Sequence, residues 1–436
     1  MNIRKTTLLL LLLVAGVVTA QQKNITLEEI YDGTFRMQYL DRLHSMNNGK
    51  EYAVLNTDRN TGTKTLDVYS YKTGEKVNTL INSSEIDGLD YFIGYTLSAD
   101  ESKALLSTKL RSIYRRSSLG VYYVYDLETK ELVQVAEEAI QEPTFSPDAS
   151  KVAYGRDNNI YIKDLSSGTT TQVTTDGAKN KVINGITDWV YEEEFAFVRA
   201  FDWNADGDKI AYIRFDESEV PEFSMDVFGN ELYPSKDTFK YPKAGETNAT
   251  VSLHIYDVAS AETKAVDLSG FQNYYIPRLE WTPEANVLAV QTTNRKQNDI
   301  NLLFVDGTSA EAKLILSDKD DAYVDITDNL TFLEDNDFIW TSEKDGWNHI
   351  YLYDKNGKLK NQVTQGPWEV TSYYGYDPKS KRVFYQSSEN GSINRGVYSI
   401  KVNGKGKETL AAEAGTNSAN FSTDFTYFIN SFSDAE

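Results

Sequence analysis

Eight recurrences of one short unit predict an all-β fold: an eight-bladed β-propeller whose last blade is incomplete. The unit is a polar turn running into a hydrophobic strand, and most copies are followed by a second, alternating strand. The chain also carries 29 tyrosines and 19 phenylalanines against 9 prolines, the aromatic excess that strands favour.

The elements follow in order. Arg4 and Lys5, the apolar run Leu8 to Val18 and the small-residue site Val18-Thr19-Ala20 predict a signal peptide over residues 1–20. The protein is therefore expected to be exported, to a periplasmic or extracellular location. Residues 21–45 form an N-terminal segment expected to pack outside the ring. In it, Thr26-Leu27-Glu28-Glu29-Ile30 reads as a helix start with a capping box between Thr26 and Glu29. The ring is assigned to residues 46–436. Its turn-and-strand copies begin at Asn48, Ser98, Ser146 and Trp203, and in weaker form near Trp281, Phe332, Tyr376 and Ser422. The alternating second strands include Val121 to Leu127, Asn159 to Leu165, Leu253 to Val258 and His349 to Asp354. A spacing of about 45–50 residues fits propeller blades, each of which buries its faces only by stacking on its neighbours. Between the fourth and fifth copies, residues 222–248 are extra and contain Phe223, Phe228, Tyr233, Phe239 and Tyr241. They read as a projecting arm or a long surface loop.

Composition excludes several functions. A formal charge of −21 repels a phosphate backbone, so no nucleic-acid partner is expected. There is no cysteine, hence no disulfide, thiol nucleophile, thiolate metal site or lipoprotein anchor. The three histidines, His44, His254 and His349, lie far apart and in no metal-ligand spacing; neither metal nor cofactor is predicted. No G-x-S-x-G elbow is present, so this chain shows no catalytic residue of its own. His349, in Asp345-Gly346-Trp347-Asn348-His349-Ile350-Tyr351, reads as a residue that packs or hydrogen-bonds within a blade.

Two short stretches stand apart from the repeat. Asn184 to Phe195 places Glu192, Glu193 and Glu194 beside Trp189, Tyr191 and Phe195. Adjacent carboxylates repel one another, and a bound cation relieves that repulsion. Two of them can share a ligand only on a short helix or bend. Tyr114-Arg115-Arg116-Ser117 offers guanidinium donors suited to a carbonyl or carboxylate. On composition alone, both stretches read as ordinary solvated surface charge.

The run Asp188-Trp189-Val190-Tyr191-Glu192-Glu193-Glu194-Phe195 closely resembles the double-glutamate motif of the dipeptidyl peptidase IV family. Glu219-Val220-Pro221, Tyr241-Pro242-Lys243-Ala244-Gly245, Asp345 to Tyr351 and Gly366-Pro367-Trp368-Glu369-Val370 follow in that family's order. The resemblance covers the chain from Thr26 onward. It implies an eight-bladed propeller that precedes an α/β-hydrolase domain, so this chain is expected to be the N-terminal part of a longer serine dipeptidyl peptidase that releases Xaa-Pro or Xaa-Ala dipeptides. It further implies that Glu193 and Glu194 bind the free α-ammonium of a peptide and that Arg115 contacts its backbone carbonyl. Glu192 precedes the matching pair and is not expected to be a ligand; Trp189 and Tyr191 would support the glutamate helix. Residues 222–248 would correspond to the family's dimerisation arm, making the partners a peptide with a free N-terminus, a second copy of the chain and the hydrolase domain. The alternative is a non-catalytic propeller that binds peptides or proteins in the same place.

Overall fold

In the computed structural model, residues 24–35, 43–89, 91–271 and 275–434 are described; the expected signal peptide lies outside them. The repeated turn follows from local chemistry. At residues 146–150, the Asp148 carboxylate accepts the hydroxyls of Ser146 and Ser150 at 2.6 and 2.7 Å. Lys151 N–H donates to Ser146 Oγ at 3.0 Å, so the chain leaves the turn aligned as a strand. The same arrangement recurs around Asp100 and Asp424. The residue after the aspartate takes a left-handed backbone: Glu101 (φ 60°), Ala149 (53°) and Phe425 (56°), with Gly49 (68°) and Gly207 (67°) at the matching positions elsewhere.

Each such turn joins the first two strands of an antiparallel sheet. The first sheet runs His44–Ser45, Glu51–Thr57, Lys64–Ser70, Lys76–Asn82, in sequence order. His44 and Ser45 pair with Ala53 and Tyr52, so the sheet begins two residues before the predicted boundary. Further four-stranded sheets start at Gly94–Leu97, Gln141–Phe145, Tyr275–Trp281, Thr331–Phe332 and Val370–Asp377. The fourth sheet in chain order has five strands, because Val182–Asn184 and Phe201–Trp203 both pair with Lys209–Asp216. Among the described residues there are thus seven sheets of four or five strands, and the all-β propeller class holds. Where the sequence predicts an incomplete last blade stands a two-stranded hairpin, Thr416–Phe421 with Phe428–Ser433.

Apolar cores lie between consecutive sheets. Leu66, Val68 and Ile81 of the first pack with Leu106 and Tyr125 of the second. Ile213, Phe215 and Leu253 of the fourth pack with Leu288 and Val290 of the fifth. The C-terminal hairpin bridges the seventh sheet to the first. Phe425 stacks on Phe384 at 4.5 Å and Phe421 packs on it at a tilt at 5.0 Å, while Thr423 bonds Ser45 Oγ and the Met46 carbonyl at 3.0 and 2.9 Å. Gly49 sits against this junction: a Cβ there would lie 2.5 Å from Asp424 Cγ.

The expected arm is a two-stranded ribbon, Glu222–Val227 paired with Ser235–Lys240, whose tip exposes Phe228, Leu232 and Tyr233. The N-terminal unit holds helix α1 (Leu27–Tyr31) with the predicted capping box between Thr26 and Glu29. Among the described residues no helix is long and apolar enough to cross a membrane.

Candidate functional site

The acidic motif forms a short helix, α2 (Trp189–Glu194), inserted between two strands of the fourth sheet. Asp188 starts it by accepting the Tyr191 amide at 2.9 Å. Burial pushes the Asp188 carboxyl up to about 6, against the pull of that amide and the Val190 amide. The helix is anchored through its aromatic residues. Tyr191 is 1% exposed, accepts the Ile276 amide on its hydroxyl at 3.0 Å, and meets Phe195, Phe215 and Tyr275 edge-on. Trp189 lies 4.2 Å from the Tyr241 ring, at the base of the arm.

Three adjacent glutamates on a helix diverge by about a hundred degrees each, and their surroundings differ accordingly. Glu192 is 1% exposed, and its Oε1 accepts the amides of Arg116 and Ser117 at 2.6 and 2.8 Å. It thereby fastens the 114–117 turn of the second sheet to the fourth sheet. Glu193 pairs with Arg115, whose Nε lies 2.9 Å from Glu193 Oε2; the guanidinium side chain is 72% exposed and the carboxylate 16%. Glu194 is exposed and has no ion pair among the described residues.

Carboxylates at the C-terminal end of a helix face the negative pole of its backbone and need positive charge nearby. The fold supplies it. Arg116 Nη1 donates to the Glu192 carbonyl at 3.1 Å, and Arg278 Nη1 donates to the Phe195 carbonyl at 2.8 Å. With those carbonyls capped, the half-buried Glu193 carboxylate and the exposed Glu194 carboxylate lie side by side, with the Arg115 guanidinium between Glu193 and the second sheet. An added cation would be attracted there, and the terminal Nη groups of Arg115, whose Nε–H is taken by Glu193, would serve as donors for a neighbouring carbonyl.

All five sequence-predicted residues therefore gather in one place: Glu193 and Arg115 are in contact, Glu194 is adjacent, and Trp189 and Tyr191 hold the helix from behind. Sequence reasoning missed the residues that join the two loops. Arg116 and Ser117 belong to the stretch singled out for its guanidinium groups, but they join the loops chiefly through backbone amides, which no side-chain pattern reveals. Tyr114 and the arm's Phe239, 5.9 Å apart, add a second aromatic contact beneath the site. Glu217 was also missed: it is 6% exposed, and burial together with Asp188 pushes its carboxyl up to about 7. His349, the best-placed histidine in the sequence, is fully buried between Thr364 Oγ1 and the Gly366 carbonyl, each at 3.1 Å.

Residues 98–436 match the family model of the dipeptidyl peptidase IV N-terminal region. The chain belongs to the dipeptidyl peptidase IV family. Its structure is similar to that of Porphyromonas gingivalis dipeptidyl peptidase 4, at 42% identity and a TM-score of 0.88, over 95% of this chain and 59% of that one. Curated relatives of the dipeptidyl peptidase IV family include a "Probable dipeptidyl-aminopeptidase B" of Arthroderma gypseum, 34% identical over 72% of this chain and 38% of its own. A dipeptidyl peptidase 4 of Arthroderma otae is 31% identical over 78% of this chain and 46% of its own. The chain thus spans less than half the length of these two relatives.

Proposed function

We propose that this chain is the substrate-gating, N-terminus-binding region of an exported serine dipeptidyl peptidase that releases Xaa-Pro or Xaa-Ala dipeptides. The observation that carries the reading is the placement of Arg115 against Glu193 beside the exposed Glu194. An α-ammonium, with a pKa near 8, is mostly cationic at neutral pH and suits two carboxylates. Arg115 would hold the first carbonyl of the same peptide. A peptide gripped at its terminus presents a fixed bond to the nucleophile of a hydrolase domain, and a blocked terminus leaves the carboxylates unpaired. In this reading the hairpin Thr416–Ser433 is the start of an eighth blade. The arm, with its exposed Phe228, Leu232 and Tyr233, joins two copies of the chain.

Binding of a free peptide and its N-acetylated twin to the full chain tests the reading. The free peptide should bind about tenfold or more tightly, the factor that roughly one charge-assisted contact carries. Glu193→Gln and Glu194→Gln should each erase most of the difference without lowering stability. Equal affinity for the two peptides would refute the assignment.

A further inference from the structure

A cavity of about 690 Å³ opens between the third and fourth sheets, the 111–119 hairpin and the arm. Its walls include Tyr114, Trp189, Glu217, Asp237 and Phe239, but not Arg115, Glu193 or Glu194. We propose that this cavity is a second cation site, which takes an organic ammonium group on the Glu217 carboxylate.

The other buried charges around the cavity are already satisfied. Asp188 caps α2, and Glu192 holds the Arg116 and Ser117 amides. Lys240, half-buried on the same cavity wall, attracts the Glu217 carboxylate without a direct bond to it; its ammonium donates to the Val220 and Ser218 carbonyls at 2.8 and 3.3 Å and lies 3.9 Å from Glu222. Glu217 remains: nine-tenths buried, lining the cavity, and without a hydrogen-bond or ion-pair partner among the described residues. A lone buried carboxylate must take up a proton or a counter-cation. Its raised pKa agrees with the absence of a direct partner.

The shape of the site selects the kind of cation. No group of three or more metal-ligating side chains exists among the described residues, which disfavours a bare metal ion. The rings of Tyr114, Trp189 and Phe239 line the cavity instead, and aromatic rings attract an alkylammonium. The volume lies within the range of small-ligand clefts. Asp237, exposed on the arm, adds negative charge, set against Arg111 and Lys179, which are exposed on the same lining, and the half-buried Lys240. A lysine-like side chain fits this chemistry.

The test is calorimetric titration of the full chain at pH 8 with N-acetyl-lysine amide, whose only cation is its side chain. Wild type and Glu194→Gln should bind it equally, while Glu217→Gln should bind about tenfold more weakly or not at all. Asp237→Lys, on an exposed strand and so harmless to folding, should weaken binding at least about threefold. The proposal is overturned if wild type shows no binding, if Glu217→Gln folds and binds unchanged, or if Asp237→Lys has no effect. It is also overturned if Glu194→Gln abolishes binding, which would place the probe at the α2 carboxylates, or if magnesium or calcium displaces it at equal concentration. Loss of the free-peptide preference in Glu194→Gln with lysine-probe binding intact would leave both sites standing independently.

Discussion

Replacing Glu192 by alanine should release the 114–117 turn from α2. The wild-type carboxylate is almost wholly buried, and one oxygen accepts two backbone amides at 2.6 and 2.8 Å. Hydrogen bonds to a charged group contribute about 1.5–3 kcal/mol each, and amides left unpaired in a dry site cost more than amides returned to water. Ser117 is only 3% exposed, so its amide cannot simply be rehydrated. The substitution should therefore cost about 3–5 kcal/mol locally. Glutamine keeps an oxygen at the same position and loses only the charge, so Glu192→Gln should cost about 1–2 kcal/mol. Native-state hydrogen exchange reads this directly. The Arg116 and Ser117 amides should exchange at least about a hundredfold faster in Glu192→Ala, given roughly tenfold per 1.4 kcal/mol, while strand amides of the sixth and seventh sheets stay protected. Peptide affinity should fall in parallel, because Arg115 rides on the released turn. Exchange at Ser117 that is unchanged in Glu192→Ala would refute the idea that this carboxylate joins the second and fourth sheets.

Other substitutions probe the ring and its supports. Gly49→Ala places a Cβ against Asp424 at φ 68°, whereas Gly207→Ala at φ 67° meets nothing closer than 3.4 Å. Both should pay about 1 kcal/mol of backbone strain, but only Gly49→Ala should lose a further 1–2 kcal/mol or so in a thermal melt, from the ring junction. Tyr191→Phe removes the acceptor of the buried Ile276 amide and should cost about 1–2 kcal/mol in denaturant titration, with the largest loss of protection at Ile276 itself. The Asp148 carboxyl is held down to about 2 by the Ser146 and Ser150 hydroxyls and the Ser150 amide, against its burial. Its folded pKa lies below the unfolded value near 4, so the stability it contributes is complete above pH 4 and fades as pH falls toward 2. Asp148→Asn should flatten that part of an acid titration, and an unaltered acid limb would count against the turn's role.

The ring was legible in the sequence because its signals are local. In Ser146-Pro147-Asp148-Ala149-Ser150, each hydrogen-bond partner lies within five residues, and the strand that follows is a short apolar run, Val152 to Gly155, buried throughout. The arm was legible as surplus length between two repeats, and α1 as a capping box. The boundary of the first sheet was not, since His44 and Ser45 form a strand only through pairing with Tyr52 and Ala53. The glutamate helix was legible through its resemblance to a known motif, whereas composition left it indistinguishable from a solvated acidic run. What the three glutamates do separately was decided by tertiary structure. Glu192 meets Arg116 and Ser117, and Glu193 meets Arg115, across more than seventy residues of chain and two different sheets. Glu217 carries no motif of its own; its burial on a cavity wall it shares with Trp189 and Phe239 is set by tertiary structure. Turns and strands follow from interactions between neighbours, but the charge state and availability of a carboxylate depend on which distant backbone amides, cations and apolar walls surround it, and only the closed ring brings those together.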